Sequence, residues 1–216
     1  MAVLSRGLIM KVILVRHGHS KLNGKGIHQP PETELSDTGI KQAEAIAERM
    51  VGVRVDVILA SKYERAMHTA RIISKAIDRP IVYTSLLNEF KNPSILEGKK
   101  QGSAIDLKVK KIVKMHLDDP DWHYSDEENN FDRIKRGKKV VKYIGGRKEE
   151  HVLVCTHSGM IRMILAVGLF GDDLTPKDFH KIISFMRTEN TGITECEIGS
   201  DGRWRLITFN DFIHLK

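Results

Sequence analysis

Three apolar runs in this chain end on residues that can hold and attack an anion. Val12-Ile13-Leu14-Val15 leads into Arg16-His17-Gly18-His19-Ser20. The run Val55 to Ala60 leads into Ser61-Lys62-Tyr63-Glu64-Arg65, and Val152 to Cys155 leads into Thr156-His157-Ser158-Gly159. Together they supply the guanidiniums of Arg16 and Arg65 and the imidazoles of His17 and His157. A guanidinium binds a phosphoryl group through a planar fork, so the pair suits a dianionic phosphate monoester. A histidine beside two permanent cations has its protonated form disfavoured, which keeps one imidazole neutral and nucleophilic at neutral pH. The second imidazole is better used as a cation, against the charge on the transferring oxygens. A departing alkoxide needs a proton, and Glu89, just after the short run Ile81-Val82-Tyr83, is placed to give one.

These side chains converge only if the runs are neighbouring strands of one sheet. Val12–Val15 is aliphatic throughout, as a strand buried on both faces must be. Ligands of an open α/β sheet bind outside the carboxyl ends of its strands, where the polar clusters lie. Between the strands the sequence predicts helices. One starts at Ser36, with Ile40, Ala43, Ala47 and Met50 at helical spacing and Gly52 closing it. Ser61-x-x-Glu64 reads as a capping box, which starts a second helix at Ser61 and puts Arg65 in its first turn. There the helix dipole adds to the positive field. Ile81-Val82-Tyr83 is a short third strand. Residues 103–117 and 126–144 read as helices, Met160 to Leu169 as a strongly apolar central one, and residues 192–209 as a terminal antiparallel hairpin. The expected fold is α/β: one doubly wound, mostly parallel sheet flanked by helices, with an antiparallel edge strand. Residues 84–145 form a helical cap insertion over the site, and residues 1–216 are a single domain.

Composition agrees with an ordinary globular chain. Of 216 residues, 41% are hydrophobic and 29% charged, and the formal net charge is +7. That excess suits an anionic substrate. Nucleic acid is excluded as a partner because the basic runs lack interleaved aromatics and sit on polar helix faces. No apolar stretch is long enough to cross a membrane. With Cys155 and Cys196 as the two cysteines, no disulfide framework is implied, and a reducing cytoplasm is the expected compartment. Residues 1–9 read as a dispensable lead-in, with Met10 a second candidate start.

The motifs also carry a resemblance. Arg16-His17-Gly18, Leu35-Ser36…Gly39…Gln42-Ala43, Ser61…Arg65-Ala66…Thr69-Ala70 and His157-Ser158-Gly159…Ile161-Arg162 resemble successive blocks of the histidine phosphatase (phosphoglycerate mutase-like) superfamily. The tail Asn210-Asp211…His214-Leu215 resembles the end of its phosphatase members. The resemblance implies that His17 is the phosphorylated nucleophile and that Arg16, Arg65 and His157 form the phosphate pocket. It implies Glu89 as proton donor, with Glu97 of Glu97-Gly98 the alternative alignment. Asn23 and Ser158 fall at positions beside the substrate. His19 departs from the family pattern, which is commonly acidic or Gln there. No metal and no cofactor are implied; a His17-x-His19 metal pair has no matching ligand set elsewhere.

The expected function is metal-independent hydrolysis of small phosphate monoesters through a phosphohistidine. Phosphoglycerate mutase action by the same first step is the alternative within enzymes, and a non-catalytic phospholigand-binding protein the alternative outside them. A homodimer is compatible with the sequence, and the physiological substrate is not read from it.

Overall fold

Alternation along the first strand sorts the molecule into layers. The computed structural model describes residues 9–216, so all but Ile9 of the proposed lead-in lies outside the described residues. In β1 (Met10–Arg16), Val12 and Leu14 face one hydrophobic core while Ile13 and Val15 face another. The same split recurs in β2 (Val57–Ser61) and β4 (His151–Thr156): Val57, Leu59, Val152 and Val154 go one way, and Ile58, Ala60, Leu153 and Cys155 the other. A strand with both faces buried cannot carry polar residues along its length, so they collect at its end.

The sheet has six strands in the order β3-β2-β4-β1-β5-β6, with β3 at Ile81–Thr84, β5 at Ile193–Ile198 and β6 at Trp204–Asp211. The first four strands in that order are mutually parallel. The predicted terminal hairpin is present; its strand β5 runs antiparallel to both β1 and β6, so β6 is the edge.

Helices α1 (Asp37–Met50) and α2 (Glu64–Ile77) cover one face. Ser36 caps α1 as expected, its Oγ accepting the Gly39 N–H. Gly18 and Gly39 let the backbones at the end of β1 and the start of α1 meet. A Cβ on Gly39 would overlap the His19 carbonyl, and one on Gly18 the Gly39 carbonyl. The capping-box reading of Ser61 is corrected: α2 begins at Glu64, with Tyr63 at the cap position and no side-chain cap bond. Ser61 instead ends β2 in register with Thr84, and its hydroxyl is used elsewhere.

The opposite face carries α4 (Asn130–Gly145), α5 (Ser158–Phe170) and α6 (Pro176–Phe185). This corrects the cap boundary. Ile134, Val140 and Ile144 of α4 lie in the core beside Met160, Met163 and Val167 of α5, so α4 is a layer helix. The side chains over the site come from the turns between β3 and α3 (Ala104–Met115) and from the loop after β1. Helix α6 goes beyond the sequence expectations, although Thr175-Pro176-x-Asp178 holds its signal: a capping threonine, proline in the first turn and an aspartate at the positive end.

The loop between β1 and α1 is tied to the α3 segment. His28 N–H donates to the Lys99 carbonyl at 3.0 Å and Gly98 N–H to the His28 carbonyl at 2.9 Å. The His28 ring then meets the buried Asp106 carboxylate at 2.8 Å. Burial alone would raise Asp106, but the Gly102 N–H, Lys110 and His28 outweigh it and hold the carboxyl at about 2.

Candidate active site

The ends of β1 and β2 bring Arg16, His17 and Arg65 to a pocket of about 270 Å³, and the end of β4 sets His157 against the His17 ring, outside the residues that line the pocket. Each of these side chains is buried or nearly so.

Two hydrogen bonds decide the state of His17. Its Nδ1 lies 2.7 Å from the Gly18 carbonyl oxygen, which only accepts, so Nδ1 carries the proton. Arg65 Nε–H donates to Nε2 at 3.3 Å, which requires a lone pair there. The ring is therefore neutral with its reactive lone pair on Nε2, facing a guanidinium. Backbone contacts fix its place: His17 N–H donates to Thr156 O at 2.9 Å, and Asn190 Nδ2 to the His17 carbonyl at 2.8 Å.

His157 takes the other tautomer. Ser61 Oγ donates to Asn88 Oδ1 at 3.0 Å, and Lys62 N–H donates to the same oxygen at 2.9 Å, which identifies it as the carbonyl end of the amide. With its proton so used, Ser61 Oγ accepts from His157 Nε2 at 2.8 Å. That leaves His157 Nδ1 bare, buried and without a partner among the described residues. The two rings meet edge to face, with centroids 5.0 Å apart.

Both imidazoles are held well below the ordinary histidine range, first by burial and then by the Arg65 charge. The expectation of a cationic second imidazole is thus corrected for the free pocket. His157 is neutral there, and an entering dianion would have to restore its proton. A stability consequence follows. Near pH 6.5 and below, the unfolded chain protonates these histidines while the folded chain does not. Their contribution is complete above about pH 6.5 and shrinks as pH falls, by up to ~1.4 kcal/mol per pH unit for each. Thermal midpoints measured from pH 7 to pH 5 should fall less steeply for His157→Gln than for the unsubstituted chain. Equal slopes would contradict the buried neutral state.

Glu89 reaches the pocket from the turn after β3. Its oxygens accept the Phe90 N–H and the Gly159 N–H, each at 3.0 Å, so the carboxylate sits at the N-terminus of α5. Gly159 is needed there, because a Cβ would overlap Glu89 and Phe90. Arg136 of α4 sets this segment by donating to the Leu86 and Asn88 carbonyls at 2.9 and 2.7 Å. Glu97 also lines the pocket, from an exposed position at the rim. Ser158 lines it too, its hydroxyl 2.7 Å from Thr188 Oγ1. Arg16 donates from Nη1 to the Thr188 carbonyl at 2.7 Å, while its buried Nε has no partner among the described residues.

Asn23 is not among the residues lining the pocket. Its Oδ1 accepts from Ser20 N–H at 2.8 Å and Ser20 Oγ at 2.9 Å, closing a turn of the loop. His19 is a staple between β1 and α1: its Nδ1 is 2.9 Å from Ser36 Oγ and its N–H donates to Gln42 Oε1 at 2.8 Å. Among the described residues, no group of three or more His, Cys, Asp or Glu is placed to hold a metal.

The family model of the histidine phosphatase superfamily (branch 1) matches residues 12–212. The chain belongs to that superfamily. Among superfamily members, a probable phosphatase of Schizosaccharomyces pombe is 31% identical over 96% of each chain. The adenosylcobalamin/alpha-ribazole phosphatase of Escherichia coli is 27% identical over 73% of this chain and 78% of its own. A mutant phosphoserine phosphatase of Entamoeba histolytica, solved in complex with phosphoserine, superposes with a TM-score of 0.76 at 25% identity, over 96% of this chain and all of its own. Phosphoglycerate mutases also occur among the relatives. The fold is also that of a solved mycobacterial hydrolase, with a TM-score of 0.76 at 23% identity over 94% of this chain and 99% of its own.

The candidate site also includes Ser61 and Asn88, which set the His157 tautomer, and Arg162, which lines the pocket. Ser61 at a strand end was a readable signal, masked by the match to a capping box. Arg162 stood in the block His157-Ser158-Gly159…Ile161-Arg162 with no role assigned, and Asn88 carries no signal in one sequence because its place depends on how distant turns pack.

Proposed function

We propose that this chain hydrolyses phosphate monoesters through a phosphohistidine on His17, with no metal in the step. The observation that carries the reading is the bare Nε2 of His17, held by the Gly18 carbonyl on one side and Arg65 on the other. In the first step the Nε2 lone pair forms a bond to phosphorus and the bond to the alcohol oxygen breaks. Glu89 gives that oxygen its proton. Arg65 Nε moves from the ring to a phosphoryl oxygen, and Arg16 Nε finds its missing acceptor there. In the second step water attacks the phosphohistidine, its proton returns to Glu89, and inorganic phosphate leaves with Nε2 free. The two guanidiniums supply the charge neutralisation that the equatorial oxygens need.

Relatives named phosphatases support hydrolysis, and those named phosphoglycerate mutases support the alternative. The test is incubation with 3-phosphoglycerate and 2,3-bisphosphoglycerate in the presence of a chelator. Phosphate release should outpace interconversion of 2- and 3-phosphoglycerate; efficient interconversion with little phosphate would make the chain a mutase.

The chain is then one catalytic domain, capped by the turns after β3 and the loop after β1. Two buried free thiols, Cys155 and Cys196, fit a reducing cytoplasm. Exposed Leu169, Phe170 and Phe185 favour pairing with a second copy, which light scattering in solution would test.

A further inference from the structure

A second cavity of about 400 Å³ opens between α3, the start of α4 and residues 92–96. It shares His28, Asn92 and Ile183 with the wall of the phosphate pocket, so the two spaces adjoin. Its lining is mainly apolar, with Pro93, Leu96, Val109, Val113 and Trp122 facing one another.

One residue does not suit that lining. Arg133 of α4 borders the cavity, yet among the described residues its buried Nε has no hydrogen-bond partner and its guanidinium meets no carboxylate within ion-pair distance. Its contacts are the face of Phe90, 5.1 Å from the ring centroid, and a long 3.5 Å approach to Asn92 Oδ1. The neighbouring acids are already committed. Glu128 forks onto Arg136 at 2.6 and 2.7 Å, and Glu127 accepts the Tyr124 and Ser125 N–H groups at 2.6 and 2.8 Å. With those carboxylates held by other donors, the guanidinium of Arg133 keeps unused N–H donors for an anionic group that enters.

The direction of the reaction links the cavities. A proton donor must face the leaving oxygen, so the alcohol part of the substrate lies on the Glu89 side of the phosphorus. Phe90, the next residue, is the ring beneath Arg133. We propose that the cap cavity receives the alcohol part of the substrate, and that this part has an apolar body ending in a carboxylate paired with Arg133. The carboxylates of Glu127 and Glu128 also line the cavity, so one negative charge on the fork of Arg133 is favoured over a second dianionic phosphate. This rests on the phosphatase reading above and names the substrate class of that site.

The test compares n-alkyl phosphates of two to eight carbons with chains of equal length ending in a carboxylate. For the unsubstituted protein, kcat/KM should rise about fourfold for each methylene that enters the cavity. At the best length the carboxylate should add about tenfold or more. Arg133→Met should bring the carboxylate-to-alkyl ratio close to one. Arg133→Lys, which keeps a charge without the fork, should leave an intermediate ratio and serves if the Met variant does not fold. Val113→Trp, which fills the cavity, should flatten the dependence on length. Hydrolysis of the whole series with no gain from length or carboxylate overturns the cavity assignment while the phosphatase reading stands. A carboxylate gain that survives in Arg133→Met overturns the role of Arg133. No hydrolysis of any member, with none of p-nitrophenyl phosphate either, removes both readings together.

Discussion

His17→Ala should reduce turnover of every phosphate monoester by at least ~10⁴-fold, the scale on which losing a nucleophile is felt. The size follows from the geometry. In the proposed reaction Nε2 of His17 is the atom that bonds to phosphorus, and His157 cannot replace it. The latter's Nε2 proton is committed to Ser61, and its free Nδ1 has no Arg65 across from it to receive the phosphoryl group. Arg16, Arg65 and the α5 N-terminus remain in the variant, so binding of phosphate should persist while chemistry stops. The change also removes a neutral buried ring and leaves Arg65 Nε–H without its acceptor, so the thermal midpoint should fall while the circular dichroism spectrum is unchanged. Rapid quenching with ³²P-labelled substrate should trap an acid-labile, alkali-stable phosphoprotein in the parent and none in the variant. Well-folded His17→Ala with ordinary turnover would remove the phosphohistidine reading altogether.

How much of this could be read from the chain alone divides along a physical line. Buried parallel strands announce themselves through runs such as Val12–Val15 and Val152–Cys155, and their ends then locate Arg16, His17 and His157 without further knowledge. Arg65 was legible because it lies in the first turn after a strand. Ser61 was misread for a definite reason: Ser-x-x-Glu satisfies the helix-start pattern, but pairing of β2 with β3 kept the serine in the sheet. The cap boundary failed similarly. The apolar stripe Ile134, Val140 and Ile144 shows that the helix buries one face, yet periodicity does not say against which partner. Asn23 could be matched by position, whereas its bonds to Ser20 arise from a turn that only the folded loop has. The choice between Glu89 and Glu97 lay beyond the sequence because short 3-10 turns after β3 bring both to the same pocket.

That choice yields the second large effect. A general acid matters in proportion to how poor the leaving group is, because proton donation offsets alkoxide charge in the transition state. Glu89 is the better placed: one N–H on each oxygen holds it at the head of α5, beside Ser158 and the charges of Arg16 and Arg162. Each oxygen keeps a second lone pair, on which the transferable proton can be carried. Glu97, exposed at the rim, has no comparable support. Glu89→Gln keeps the Gly159 contact through the amide oxygen and loses the exchangeable proton. It should slow hydrolysis of an alkyl phosphate by roughly 10²–10⁴-fold. On p-nitrophenyl phosphate, whose phenolate leaves unaided, formation of the phosphohistidine should slow far less. Its breakdown must be followed separately in single-turnover experiments, since Glu89 also takes the proton of the attacking water. Glu97→Gln should leave both substrates within a few-fold of the parent. If instead Glu97→Gln shows the dependence on leaving group and Glu89→Gln does not, the proton comes from the rim and the α5 N-terminus merely anchors Glu89.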